Sequence, residues 1–134
     1  MTAYFVDTWY FVALLDRGDV HHHRAQRLGA RLMNAHLVTH DAVLSEVLAY
    51  FSGYGIGART EAVGIVRRVL YEFEVIPGSR ALFAAGLDRY AARPDKQYSH
   101  VDCMSMILME NRGIHHVLTN DHHFAQAGFT LVNQ

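Results

Sequence analysis

A chain of 134 residues, half of them hydrophobic, can bury roughly two thirds of the surface its unfolded form exposes, so a single domain spanning residues 1–134 with one true core is expected. The formal net charge of −1 excludes the strong positive field that non-specific coating of nucleic acid requires, leaving any phosphate recognition to a local patch or to metal ions. The lone cysteine, Cys103, excludes an internal disulfide and a thiolate zinc knuckle, and no apolar run approaches the roughly 18 residues that span a bilayer.

MTAYFVD at the start has neither a basic leader region nor a small-residue cleavage site, so it reads as the first strand of a cytoplasmic protein. Residues 3–6, AYFV, form that strand and end at Asp7; residues 9–15 read as a helix running to the turn residues 16–19. A second helix is expected over 21–34, with Arg24, Arg27 and Arg31 sharing one solvated face. LVTH, 37–40, is a second strand, and DAVLSEVLAYF, 41–51, a strongly apolar helix that ends in the glycine-rich GYGIG. Residues 60–71 read as a helix, 73–77 as a third strand closed by Pro77, and 79–92 as another helix followed by the loop RPDKQ. Residues 99–111 are helical and stopped by Gly113, 115–119 form a fourth strand, and 129–132 a fifth at the edge. Strands alternating with helices of these lengths imply right-handed crossovers and a three-layer α/β/α sandwich around a mainly parallel sheet of about five strands. In such sheets ligands bind beyond the carboxyl ends of the strands, where strand order reverses.

Four acids fall where that edge should be. Asp7 follows the first strand directly, and Asp121 follows the fourth strand in VLTNDHHF. Glu46 has Ala42, Val43, Ala49 and Tyr50 as its helical neighbours, which places it on an apolar face. Asp102 stands in the first turn of a helix that continues CMSMILM, apolar nearly all round. An unpaired buried carboxylate costs several kcal/mol or is neutralised, and a bound cation offsets that cost; oxygen donors without thiolate suit a hard ion such as Mg²⁺ or Mn²⁺. Each acid also has a structural alternative. Asp7 and Asp121 can cap the helices that follow them, Asp102 can form a capping box with Ser99, and Glu46 can pair with an arginine.

Other chemistries fit less well. A phosphoacceptor receiver needs a lysine at a late strand end, and the only lysine, Lys96, lies in the RPDKQ loop. An Asp-nucleophile phosphatase needs a second Asp two residues after the first, where this chain has Trp9. No phosphate-binding or dinucleotide glycine motif occurs. Among ten histidines, HHH at 21–23 reads as the decorated start of a surface helix, the Asp121-His122-His123 tripeptide lacks the acid-rich motifs of a phosphoesterase, and Cys103 beside His100 reads as core.

The motifs FVDT, VLSEVL, SHVDCMS and LTNDHHF, in that order from residue 5 to 124, resemble the PIN domain, specifically the VapC-type toxin ribonucleases of toxin–antitoxin pairs. The resemblance implies that Asp7, Glu46, Asp102 and Asp121 bind Mg²⁺ or Mn²⁺, with Thr119 assisting through its hydroxyl, and that RNA is hydrolysed to a 5′-phosphate and a 3′-hydroxyl. It also implies a cognate antitoxin that occludes the site and a homodimer. Tyr50, Phe51 and Tyr54 suggest an aromatic groove for a partner helix. Trp9 stands where many members carry Ser. A PIN-like binding or regulatory module without turnover is the alternative, which the complete acid set disfavours.

Overall fold

The computed structural model describes residues 2–134. Its elements in chain order are β1 (Ala3–Val6), α1 (Thr8–Leu15), α2 (His22–Arg31), β2 (His36–His40), α3 (Asp41–Phe51), α4 (Ile56–Glu72), β3 (Glu74–Ile76), α5 (Arg80–Ala92), α6 (His100–Arg112), β4 (His116–Leu118), α7 (His122–Gln126) and β5 (Thr130–Leu131). The five strands make one sheet in the order β3-β2-β1-β4-β5, and every neighbouring pair is parallel. The mainly parallel sheet expected from the alternating pattern is thus wholly parallel, within a three-layer α/β/α arrangement.

The register explains why the sheet is buried. Phe5 and Val6 of β1 stand opposite Val117 and Leu118 of β4, and Phe5 also faces Val38 of β2. All five side chains are essentially inaccessible, so the central strands carry continuous apolar runs rather than alternation, as a sheet covered on both faces requires. Helices α1 to α4 pack on one another, while α5 and α6 form a separate tightly joined pair. Strand order reverses between β1 and β4, which places the carboxyl ends of these two strands at the switch point.

Several local expectations are corrected. Helix α4 begins at Ile56, inside the stretch expected to be a glycine loop, because Gly55 adopts φ 93° as its N-cap and Gly57 simply continues the helix. The bond from Arg59 Nη1 to the Ser52 carbonyl, 3.0 Å, ties the new helix back to the end of α3. Helix α7 was expected only as a capped segment after Asp121. In the HHH run, His22 is buried rather than decorative: its Nδ1 donates to the Ala13 carbonyl at 2.9 Å and joins α2 to α1. Cys103 is free and fully buried in the core, as the apolar surroundings of α6 predict.

The α5–α6 pair meets at Gly86, where an added Cβ would lie 2.5 Å from Met104 Cγ and 3.2 Å from the Met104 backbone nitrogen. Gly86→Val is therefore expected to destabilise the fold by about 2–3 kcal/mol through overpacking and β-branching in a helix. Urea unfolding checks this; an unchanged midpoint would mean that the two helices separate without cost.

Candidate metal centre

The cleft beyond the switch point encloses about 560 Å³ and is lined by Asp7, Thr8, Trp9, Glu46, Gln97, Ser99, Asp102, Thr119, Asn120, Asp121 and His123. All four acids singled out in the sequence meet here, together with Thr119. Chain segments far apart in sequence deliver them: the ends of β1 and β4, the middle of α3 and the first turn of α6.

Each carboxylate is held by a hydrogen bond made through a named oxygen. Asp7 receives the Thr119 hydroxyl on Oδ2 at 2.9 Å, and its backbone N–H donates to the Leu118 carbonyl at 3.2 Å, continuing the β1–β4 ladder. Asp7 stands at the N-cap of α1, but its side chain makes no capping bond, so the capping alternative does not account for it. Glu46 accepts from the Thr8 hydroxyl on Oε1 at 2.6 Å, and it makes no ion pair with arginine among the described residues. Asp102 forms the full capping box: Ser99 N–H donates to its Oδ2 at 3.0 Å, while its own N–H donates to Ser99 Oγ at 3.0 Å. Asp121 caps α7 by accepting from the His123 N–H on Oδ1 at 2.9 Å, and its own N–H donates to Thr119 Oγ1 at 3.1 Å. Capping and convergence on the cleft coexist in Asp102 and Asp121.

Electrostatics follow from this crowding. Burial pushes the Asp7 carboxyl from its ordinary 3.8 up to about 7; the Thr119 hydrogen bond opposes the rise and the negative charges of Asp102 and Glu46 add to it. Burial also raises Glu46, against the Thr8 bond and with repulsion from Asp102. Asp102 is raised by burial first, opposed by the Ser99 amide and reinforced by Asp121. Desolvated like charges of this kind, all offering hard oxygen atoms, fit a divalent cation.

The acids are not equally close. Asp102, Asp121 and His123 each offer one donor atom within 4.8 Å of the other two, whereas Asp7 and Glu46 line the same cleft outside that set. His123 was absent from the residues expected here, as were Gln97, Asn120, Thr8 and Ser99. Of these, Ser99 carries a sequence signal as the partner in the capping box and His123 as part of the Asp121-His122-His123 tripeptide, while Trp9 stands out only as the neighbour of Asp7 where many PIN domains carry Ser. The Trp9 ring tilts against His21 at 5.6 Å between centroids and forms part of the cleft wall.

A family model described as the PIN domain matches residues 4–130. The chain belongs to the PIN-domain family. This PIN domain is 28% identical over 128 residues, 96% of each chain, to a Mycobacterium tuberculosis protein described as the 23S rRNA-specific endonuclease VapC20. It superposes on the crystal structure of M. tuberculosis VapC20, described as a Sarcin-Ricin loop cleaving toxin, with TM-score 0.83 and 27% identity, covering 98% of this chain and 99% of that one. The fold, though not more, is shared with DNA-bound VapBC from Salmonella typhimurium, at TM-score 0.69 and 15% identity with 98% of both chains covered.

The raised carboxyl of Asp7 sets a pH dependence. Its folded form keeps the proton longer than the unfolded chain does, so its contribution to stability is whole below about pH 4 and is lost as pH rises to about 7. Metal-free protein is expected to lose on the order of 2–4 kcal/mol over that window through this group. Asp7→Asn should flatten the slope and raise the apo melting temperature at pH 8 by roughly 5 °C or more. Urea titrations at stepped pH check this, and identical slopes in both proteins would remove Asp7 as the source.

Proposed function

We propose that this PIN domain is a metal-dependent endoribonuclease that hydrolyses RNA phosphodiester bonds as the toxin of a toxin–antitoxin pair. The observation that carries the reading is the gathering of Asp7, Glu46, Asp102 and Asp121 at the switch point of a chain that aligns almost end to end with a 23S rRNA-specific endonuclease. In this reading these four acids hold Mg²⁺ or Mn²⁺. A bound divalent cation supplies Lewis acidity, polarising the phosphate and lowering the pKa of water.

The protein's own residues do the rest. An RNA phosphate is repelled by a cleft wall of carboxylates, so neutralising that charge would favour substrate binding. Thr119, Thr8 and Ser99 fix one oxygen each of Asp7, Glu46 and Asp102, which limits the reorganisation of these carboxylates during turnover. Gln97 and Asn120 bring neutral amide groups to the cleft. Asn120 uses its carbonyl oxygen to accept from Asn133 Nδ2 at 3.0 Å, leaving its own amide hydrogens for a phosphate oxygen.

The remaining partners follow from the same reading. A cognate antitoxin occludes the site, and the protein works as a homodimer. The aromatic cluster of Tyr50, buried Phe51 and Tyr54, with ring centroids 4.9–6.1 Å apart, borders a second cleft of about 480 Å³ between the ends of α1 and α3 and the start of α4 and suits a partner segment. Arg27, Arg31 and Arg67 are exposed and available to RNA backbone, while Arg24 is half-buried and Arg68 is engaged by Glu72 at 3.2 Å. No helix of the described residues is long and apolar enough to cross a membrane, and the expected site of action is the cytoplasm.

The test is cleavage of a labelled 23S rRNA fragment and a labelled single strand by partner-free protein with Mn²⁺, Mg²⁺ or EDTA. Metal-dependent cutting is expected, reduced at least about 100-fold in Asp7→Ala and in Asp121→Ala. Undiminished cutting by either variant would break the catalytic assignment. No cutting, with a melting temperature indifferent to metal, would instead favour a binding module.

A further inference from the structure

Resting on the divalent-cation reading of the cleft, we infer that His123 contributes its Nδ1 atom as a nitrogen ligand beside Asp102 and Asp121, and thereby biases the site toward Mn²⁺ over Mg²⁺. His123 Nδ1 is buried and has no hydrogen-bond partner among the described residues. It lies 3.2 Å from Asp121 Oδ1 and 3.6 Å from Asp102 Oδ2, ion-pair distances for a protonated ring, yet it is in hydrogen-bonding geometry with neither. A buried nitrogen so placed is costly unless something satisfies it. Donor atoms that share one octahedral cation at about 2.1 Å stand about 3 Å apart, close to the spacing found here.

The ring is held in place rather than free to swing. Buried Tyr98 packs edge-to-face on His123 at 5.6 Å and 71°, and the tilted His122 ring lies 4.9 Å away. The backbone N–H of the same residue donates to Asp121 Oδ1, so the first turn of α7 fixes the carboxylate and the imidazole relative to each other. Of the two consecutive histidines, His122 is exposed and only His123 joins the acids. Imidazole suits transition ions, whereas Mg²⁺ takes oxygen ligands and gains little from nitrogen.

The deciding experiment is electron spin echo spectroscopy of Mn²⁺ bound to the full-length protein, with Mn²⁺ and Mg²⁺ affinities measured by calorimetry. Nitrogen modulation is expected in the wild type and in His122→Phe, and its loss in His123→Phe, which keeps a ring against Tyr98. Mn²⁺ affinity should fall about tenfold or more in His123→Phe, with Mg²⁺ affinity changed less than about threefold. Bound Mn²⁺ showing no nitrogen modulation in the wild type would overturn the inference, whether or not the variant folds, and so would modulation that persists in His123→Phe. Both results would leave the oxygen-ligated nuclease reading standing. Failure of the wild type to bind Mn²⁺ at all would overturn that reading as well.

Discussion

Carboxylates drawn partly out of water into one cleft are the constraint around which this molecule is arranged. Each carboxylate of the cleft is steadied by a donor from the polypeptide itself: a threonine hydroxyl for Asp7 and for Glu46, a backbone amide for Asp102 and for Asp121. Hydrogen bonds to charged groups contribute about 1.5–3 kcal/mol each, against a burial cost of several kcal/mol per ion. At Asp7 burial wins, since the Thr119 bond does not prevent its carboxyl from rising to about 7. The donors orient the acids without neutralising them, and the demand for positive charge that remains is what the site offers to a ligand.

The sheet supplies the rigidity that such a cluster needs. β1 lies at the centre of five parallel strands, flanked by β2 and β4, and the Asp7 amide still takes part in the ladder as its side chain enters the cleft. Phe5, Val6, Val117 and Leu118 fill the core immediately behind Asp7 and Thr119, so moving either group would disturb close-packed apolar contacts. Thr39 adds a further tie, donating from the end of β2 to the Val6 carbonyl at 2.9 Å. The acids on α3 and α6 come from the long stretch of chain between Asp7 and Thr119, which is why no short motif contains the site.

Much of this was legible in the sequence because it rests on local pattern. An apolar run ending in Asp marks Asp7 and Asp121, an acid among apolar helical neighbours marks Glu46, and the Ser99–Asp102 spacing marks a helix start. What was not legible depends on tertiary contact or on short range. α7 has five residues, too few for a helical period to show. The start of α4 was obscured because Gly55 and Gly57 look alike in sequence, although one takes a positive φ and the other continues a helix. His22 reads as a surface residue until α1 offers the Ala13 carbonyl, and His123 reads as half of a dipeptide until Tyr98 fixes its ring.

Asp102 closes the amino end of α6 through Oδ2, in a role whose hydrogen bond an amide oxygen can also accept, more weakly. An Asn at that position would preserve the helix start and its partner Ser99 while giving up the negative charge. Architecture and ionic character are therefore separable at this position by the exchange of an oxygen for an amide nitrogen. A descendant of this protein could fall silent there without unfolding, and its outline would give no sign of the change.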